Sequence, residues 1–472
     1  MINTPRARTP LPILITLAAA TLTASLGISV ASVLLPTLTR SFSATVSDVQ
    51  WVMLAYLMST TVAIVSAGRL GDLFGHRRVL NLGLFVFAAA SALSAVAPGL
   101  GLLVTGRSLQ GLAGAILIAL PMSLARDLVP EERMGTAMGL LGTTSAAGTA
   151  LGPSLGGMLL TWGDWRVAFW LLTGLATVTL ILSITSIPRV SVQGRASFRD
   201  LDCPGTCLLV VAIAAYALAT NGGGTAVPVP QAGLIFSALV AITLFVFVEA
   251  RVATPLVPIT LLSHRTTGIA FIMNLLVGTV MMSTLVVGPF FLAFSLGLNE
   301  ARIGVVLAVG PLVGAFFGIP AGRLTDRFGA RRVMVVGLTQ TMFGLLCLAY
   351  LPLYLGVGGY VIALILLTPA FQLFLAAINT AVLADASKEQ RGRLAGLLGL
   401  SRNLGLMTGA SVMPSLFVAI LGKADAAQAR PADVAHAFSM TFATAAGLAL
   451  VAVGLAVYSH AGRFREAPDP AE

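Results

Sequence analysis

The sequence predicts an all-α membrane protein with fourteen transmembrane helices, arranged as two six-helix bundles with two central helices inserted between them. Three observations predict this fold. Only 10% of the 472 residues are charged and 57% are hydrophobic, whereas soluble domains carry roughly a quarter charged residues. The basic residues lie in short clusters between apolar runs of about 18 residues or more, the length that crosses a bilayer. A twelve-residue segment also occurs twice, once in each half of the chain.

Apolar runs separated by charged clusters locate the fourteen helices, which we number as spans 1 to 14. The run from Leu11 to Leu35 is longer than the core of a signal peptide, about 7–15 residues, so we expect it to remain as span 1. In chain order the predicted spans are 11–36, 48–67, 79–97, 100–126, 134–160, 165–187, 204–221, 231–249, 267–296, 301–321, 331–353, 357–384, 391–421 and 437–459.

The distribution of positive charge tests this count and predicts the orientation. With the N-terminus in the cytosol, the cytosolic loops hold 21 of the 28 Lys and Arg residues, and the external loops hold 5. Cytosolic loops carry such an excess, and one helix too many or too few would scramble it. We therefore expect a multi-pass protein of the cell inner (cytoplasmic) membrane with both termini cytosolic. The other two basic residues, Arg107 and Arg402, lie inside spans.

Two internal repeats divide the chain. GRLGDLFGHRRV at residues 68–79 recurs as GRLTDRFGARRV at 322–333, with nine of twelve positions identical. Four glycines of span 5 match four of span 13 at a separation of 257, namely Gly139, Gly142, Gly148 and Gly152 with Gly396, Gly399, Gly405 and Gly409. We predict an N-terminal bundle at 1–187, a linker with two inserted helices at 188–265, and a C-terminal bundle with a short tail at 266–472. Parallel repeats of this kind are typical of transporters, with the substrate site at their interface.

Four motifs carry a family resemblance that covers the whole chain. Both copies of the twelve-residue segment resemble the loop between the second and third helices of each half in the major facilitator superfamily. RSLQG at 107–111 is similar to the arginine motif of that superfamily's fourth helix, and GTALGPSLGG at 148–157 to its fifth-helix exporter motif. The two extra central helices resemble the fourteen-helix drug:proton antiporter branch. The resemblance implies secondary transport of a small molecule by alternating access.

The repeated loop is the candidate gate. Its glycines permit a tight turn at the membrane face, and a carboxylate is favoured near a helix N-terminus. Arg77 or Arg78 could pair with Asp127 at the end of span 4, holding the cytosolic side closed until the contacts break. The alternative is that these residues are only positive anchors around a turn. The predicted gating residues are Asp72, Arg77, Arg78, Asp127, Asp326 and Arg331.

A candidate hinge lies in span 5. Gly148, Gly152 and Gly156 are four residues apart on one helix face, where small residues let two helix backbones approach closely. Pro153 lacks an amide hydrogen and favours a bend. Helix packing is one role for this motif, and a hinge or a barrier against leak is the second.

Polar residues at helical spacing outline a candidate substrate cavity. An arginine inside a membrane should face a cavity or a protein partner. For Arg107 we expect a place in the cavity, the alternative being a structural pairing with backbone carbonyls. Arg402 also resembles an arginine of the thirteenth helix in fourteen-helix relatives. The predicted cavity residues are Ser25, Ser29, Ser32, Arg107, Gln110, Asn274, Met281, Gln372, Asn379, Arg402 and Asn403.

The sequence departs from the resembling branch in its acidic residues, all of which lie in loops or at span ends. Gly27 and Ser32 stand where the first helix of that branch carries an aspartate and an asparagine. Membrane proton relays usually use buried Asp, Glu or His. The candidates at span ends, all expected to be hydrated, are Asp48, Asp127, Glu249 and Asp385. Two functions stay open: export, which the resemblance favours, and uptake or facilitated diffusion of an aromatic nutrient such as a flavin-like vitamin.

Other classes of function lack their residues. No cluster of His, Cys or paired carboxylates suggests an enzyme, and no phosphate-binding loop suggests ATP as the energy source. The three cysteines are not grouped with other metal ligands. We expect no cofactor, no metal and no nucleic acid. The expected partners are a small-molecule substrate and the lipid bilayer, and the expected state is a monomer.

Overall fold

The computed structural model describes residues 11–130, 134–188, 203–220, 230–252, 262–383, 388–422 and 426–463, and within these ranges the chain is helical with no strand. The helices are α1 Leu11–Phe42, α2 Val46–Val49, α3 Trp51–Phe74, α4 His76–Ala95, α5 Leu100–Leu128, α6 Met134–Trp162, α7 Arg166–Ser186, α8 Cys203–Thr220, α9 Gln231–Glu249, α10 Arg265–Val286, α11 Gly288–Phe294, α12 Glu300–Phe328, α13 Ala330–Leu383, α14 Lys388–Leu421 and α15 Pro431–Arg463.

Local sequence explains where several helices begin and end. Thr45 and Asp48 form a reciprocal capping box at α2. The Asn299 side chain accepts a hydrogen bond from the Arg302 amide at 3.0 Å and caps α12. Gly75 and Gly329 end α3 and α12 with φ angles of 91° and 84°. Because side chains rarely adopt such angles, glycine permits these two abrupt turns.

Fewer helices meet the length and hydropathy needed to cross a membrane than the fourteen spans predicted. Among the described residues, ten helices are long and apolar enough to cross a membrane, or eleven if the segment 46–74, bent by 53°, crosses once. Within the described ranges, each of the fourteen predicted spans coincides with helical backbone. In this number α13 is one helix, although it contains predicted spans 11 and 12. The total of fourteen stays a prediction.

Helix α13 folds back on itself. Gly356 interrupts its 54 residues with φ 54° and ψ −131°. Before the break, Gln340 donates a hydrogen bond to the Leu366 carbonyl at 3.0 Å, and a Cβ on Gly337 would lie 2.9 Å from the Phe374 nitrogen. Partners further before Gly356 lie further after it, so the two parts of α13 pack antiparallel.

Each half of the chain packs in the same pattern. In the first half α1 packs on α6, α3 on α5, and α4 on α7. In the second half α10 packs on α14, and both α12 and α15 pack on α13, which contains predicted spans 11 and 12. Gly148 and Gly152 bring α6 against α1, and their counterparts Gly405 and Gly409 bring α14 against α10. The inserted helices α8 and α9 pair with each other, and α8 also touches α3 and α14. The predicted domain boundaries stay predictions.

Candidate functional site

The two halves meet along a seam between α6 and α12, near the ends predicted to be external. A Cβ on Gly157 would lie 2.5 Å from the Glu300 carbonyl oxygen and 3.1 Å from the Gly304 Cα. The Ser154 hydroxyl donates a hydrogen bond to the Gly304 carbonyl at 3.4 Å. The two helix backbones therefore touch directly, which only small residues allow.

Polar contacts reinforce the same end. Arg40, at the end of α1, pairs with Glu300 at 3.3 Å, and its guanidinium lies 5.3 Å from the centre of the Phe294 ring. Thr37 donates to the same carboxylate at 3.4 Å. Since α1 belongs to the first half and α11 and α12 to the second, these contacts join the halves at their predicted external ends.

Helix α14 presents different faces to different neighbours. Ser401 accepts a hydrogen bond from the Asn274 amide of α10 at 2.8 Å, and Thr408 accepts one from the Tyr216 hydroxyl of α8 at 3.2 Å. Arg402 lies about 100° around the helix from Ser401, and its side chain is exposed. Its neighbour Asn403 is half-buried. Arg402 therefore faces open space beside the α10 contact.

That open space is closed toward the predicted external end. Met413 lies about three turns beyond Arg402 on nearly the same face of α14, and it is only 2% exposed. Phe417, one turn further, is fully buried and stacks on Phe290 with centroids 6.5 Å apart. Arg402 lies about 21 Å along the axis from Lys388, the predicted cytosolic end. The face is thus closed outside and open at the depth of Arg402.

The predicted polar stripe of α1 packs against α6 and does not line open space in this conformation. The Ser25 and Ser145 hydroxyls are 2.9 Å apart. Ser29 donates to the Gly148 carbonyl at 3.1 Å, and Ser32 donates to the Ser29 carbonyl at 2.7 Å. All three α1 serines are buried. Small hydroxyls suit a close helix contact as well as a cavity, and here they serve the contact.

Arg107 pairs with backbone carbonyls, as the alternative interpretation of the sequence expected. It is fully buried. Its Nε donates to the Val52 carbonyl at 2.8 Å, and its Nη1 donates to the Gly27 carbonyl and to Gln110 Oε1, also at 2.8 Å. The guanidinium lies 4.4 Å from the Tyr56 ring centre. The expectation that Arg107 faces the cavity is therefore wrong for this conformation, although no described group accepts a hydrogen bond from Nη2.

The remaining predicted cavity residues are spread along α10 and α13. Asn274 is buried and donates to the Leu398 carbonyl at 2.7 Å. Met281 is half-buried, Gln372 is half-buried, and Asn379 is exposed near the end of α13. Gln372 lies beside Gly314, where an added Cβ would meet its Nε2 at 3.0 Å. These residues do not converge on Arg402 in one described cluster.

The first copy of the repeated loop carries a contact that the sequence interpretation missed. His76 Nδ1 lies 2.7 Å from the Asp127 carboxylate and Nε2 lies 3.1 Å from Asp72. Arg77 instead donates to the Ile184 carbonyl at 2.7 Å, and Arg78 is exposed. The expected pairing of Arg77 or Arg78 with Asp127 is wrong, because His76 occupies that position.

The second copy of the loop has Ala330 where the first has His76. Asp326, Arg331 and Arg332 are exposed. Within the described part of the chain, no ion pair joins these three residues to one another. This copy therefore lacks the bridge between carboxylates that the first copy contains.

The glycines of the candidate hinge pack against α1. Added Cβ atoms on Gly148 and Gly156 would lie 2.7 Å from Ser25 Cβ and 2.6 Å from Val33 Cγ1, and one on Gly152 would overlap the Ser29 hydroxyl. The backbone of Pro153 touches Gly304 across the seam. The structure accounts for these residues by helix packing, and the hinge stays a prediction.

The carboxylates at span ends differ in exposure. Asp127 is exposed and bound to His76, and Asp48 is half-buried in its capping box. Glu249, expected to be hydrated, is only 2% exposed. That expectation is wrong, because α8 and α9 pack closely enough to cover the end of α9. Asp385 lies outside the described residues.

Comparisons with known proteins agree with this architecture. A family model described as Major Facilitator Superfamily matches residues 17–282 and 269–472. A riboflavin transporter of Clostridioides difficile, RibZ, is 25% identical over 393 residues, covering 82% of this chain and 84% of its own. A tetracenomycin C resistance and export protein of Streptomyces glaucescens is 26% identical over 425 residues, covering 88% and 77%. The structure of a bacterial homologue of the lysosomal transporter Spinster has a TM-score of 0.72 at 15% identity, covering 98% and 100%.

Proposed function

Because this chain belongs to the Major Facilitator Superfamily, we propose that it is a secondary transporter that exports a small organic solute across the cytoplasmic membrane by alternating access. The observation that carries the proposal is the one-sided opening between the halves. The seam of α6 with α12 is closed at Gly157 and Gly304. Helix α14 packs on α3 of the first half, and its Arg402 is exposed at mid-helix. A protein that opens a central site to one side at a time needs such an arrangement.

Export is favoured by the glycine-rich motif of α6 and by the relative named for tetracenomycin C export. In this proposal the His76 bridge and the loop residues Asp72, Asp127, Asp326 and Arg331 form the gate at the cytosolic ends, and both termini are cytosolic. The contact of Pro153 with Gly304 supports a hinge in α6, because those two surfaces must separate when the external side opens. Gly148, Gly152 and Gly156 would keep α1 and α6 together during that movement.

Uptake or facilitated diffusion of an aromatic nutrient is the second candidate function. Arg402 supplies a guanidinium to the open space, and all eighteen acidic residues lie in loops or at predicted span ends. A cationic drug would be repelled there, and a neutral or anionic solute would be accepted. The relative RibZ, named a riboflavin transporter, supports this class. In either direction we propose that transport is weakly coupled to protons or uncoupled.

The direct test uses purified protein in sealed vesicles, with ethidium and riboflavin offered in parallel, with and without an imposed pH gradient. Accumulation of ethidium driven by the pH gradient alone would support export by ordinary antiport and contradict weak coupling. Riboflavin equilibration that ignores the gradient would support uptake. Transport of neither probe in intact protein would contradict both candidate substrates.

Three variants sharpen the same assay. Arg402→Gln removes the positive charge from the open space beside α14 and should relax discrimination against the cation. Arg107→Gln removes a buried charge that is bonded to Gln110 and to backbone carbonyls. Glu249→Gln tests the carboxylate that is buried among the described residues at span ends. If the response to the pH gradient disappears only in Glu249→Gln, that carboxylate carries the proton and the weak-coupling proposal fails.

The fourteen-span topology has its own test. Single cysteines at Gly194 and Gly223, which lie outside the described residues, should react with impermeant thiol reagents from opposite sides of the membrane. Reaction of both from the same side would contradict the insertion of two helices between the bundles.

A further inference from the structure

The second half contains a cavity apart from both the seam and the open space beside Arg402, and its lining includes Arg331 of the proposed gate. It has a volume of about 490 Å³ and lies between the start of α10, both ends of α13 and the end of α15. Its polar lining consists of two guanidiniums and three hydroxyls, from Arg331, Arg332, Thr266, Thr380 and Ser459. These are the helix ends predicted to face the cytosol, away from the seam at Gly157.

The charged side chains among the described residues that line the cavity are all positive. Both lining arginines are exposed, and no ion pair involves either of them in the described ranges. Asp326 is not among the lining residues. Nearby, the Arg265 guanidinium lies 4.4 Å from the centre of the Tyr458 ring, which adds a third positive group at the ends of α10 and α15. The charge favours an anion with several oxygen acceptors.

The rest of the lining is apolar and includes Met273, Phe328 and Ile378. An exposed stripe of α13 begins at Arg332, which lines the cavity. Arg332, Val336 and Phe343 lie on one face of that helix, and Val336 and Phe343 are 57% and 58% exposed. In a membrane this stripe contacts acyl chains. The charged cavity and the apolar surface beside it therefore suit an amphiphile.

We propose that this cavity binds the headgroup of an anionic phospholipid from the cytosolic leaflet. The headgroup phosphate accepts hydrogen bonds from Arg331 and Arg332, and the acyl chains lie along Val336 and Phe343. Basic pockets between helices on the cytosolic side are suited to anionic headgroups. The apolar lining and the adjoining stripe favour a lipid over a free phosphate ion.

Native mass spectrometry of the delipidated full-length protein tests the proposal. The protein is titrated with phosphatidylglycerol and with phosphatidylcholine of the same acyl chains. Phosphatidylglycerol should bind more tightly. Because each arginine near the surface contributes about 1 kcal/mol toward an anionic lipid, Arg331→Gln/Arg332→Gln should weaken phosphatidylglycerol binding roughly 30-fold.

The repeat supplies a matched control. Arg77→Gln/Arg78→Gln removes the same two charges from the first copy of the loop and should leave the high-affinity site intact. Arg331→Lys/Arg332→Lys should retain binding, and Ala381→Phe, which fills the cavity without changing charge, should lose it. Equal losses in the two Gln pairs, or no preference for phosphatidylglycerol, would overturn the proposal. Displacement of the lipid by equimolar inorganic phosphate would show a free-phosphate site instead.

Discussion

The two copies of the repeated loop share a backbone and differ in what their side chains do. At both, a glycine with positive φ ends one helix and starts the next. The Gly75 amide bonds to the Gly71 carbonyl at 2.8 Å, and the Gly329 amide bonds to the Thr325 carbonyl at 2.9 Å. Around this common turn, His76 bridges two carboxylates in the first copy. Ala330 replaces it in the second, where Arg331 and Arg332 line a cavity.

This difference separates two kinds of information in one motif. The glycines and the aspartate, kept in both copies, specify a turn and a carboxylate at its start. The position after Gly75 and Gly329 is histidine in one copy and alanine in the other. That position decides whether the carboxylate of the loop is bridged to another helix of its own bundle. Near-identical sequence therefore predicts the same backbone, and a single position changes the contacts made there.

The largest expected effect comes from the shared backbone. Gly75→Ala and Gly329→Ala place a side chain at φ 91° and 84°, so each should destabilise the protein by about 1–3 kcal/mol. Thermal unfolding in detergent measures the change. Gly68→Ala and Gly322→Ala are the controls, because an added Cβ there meets open space. Unequal losses at the two turns would break the proposed equivalence.

The kept carboxylates should have the next largest effect, on transport. Asp72→Ala and Asp326→Ala should each slow transport, and the double variant should slow it about tenfold, with much smaller changes in expression and substrate binding. Initial rates in vesicles measure this. Asp164→Ala, which removes an acid from the predicted external side, is the control. Unchanged transport in both single variants and the double would show that the loops are only anchors.

The side-chain difference should have the smallest effect. His76→Ala gives the first copy the residue of the second and removes both carboxylate contacts. Partly exposed pairs of this kind contribute about 0.2–1 kcal/mol, so transport should fall by a factor of about two to five. The reciprocal change, Ala330→His, has no second carboxylate to bridge among the described residues, and its transport rate should be unaltered. Equal effects of the two exchanges would contradict the assigned asymmetry.

The helical fold was predictable from one-dimensional properties. Apolar run length and charge located every long helix among the described residues, and the break between residues 353 and 357 anticipated the reversal at Gly356. The short helices α2 and α11 were not predicted separately. The glycine echo between spans 5 and 13 anticipated equivalent packing of α6 on α1 and of α14 on α10. These features depend on local composition and spacing, which the sequence displays directly.

The side-chain partners were less predictable, because they depend on which helix faces meet. The α1 serines have the chemistry of a cavity lining and also that of a close helix contact, and sequence alone does not distinguish them. Arg107 could reach either water or the carbonyls of Gly27 and Val52. His76 was overlooked because the adjacent Arg77 and Arg78 are permanent cations, and the turn at Gly75 decides which of the three side chains faces Asp127. Only the packed structure brings these groups together.

The glycine contact at the seam makes closure of the external side sensitive to the side-chain volume at Gly157 and Gly304. Because Gly157 and Gly304 touch without interdigitating side chains, these two helix surfaces can close and part without a rotamer change at either glycine. One methyl group at either position would hold the surfaces apart and shift the population toward the outward-open form. The balance between the inward-open and outward-open forms can thus change over evolution by single methyl groups at this contact. Because the contact is distant from the open space beside Arg402, such changes leave solute selectivity unaltered.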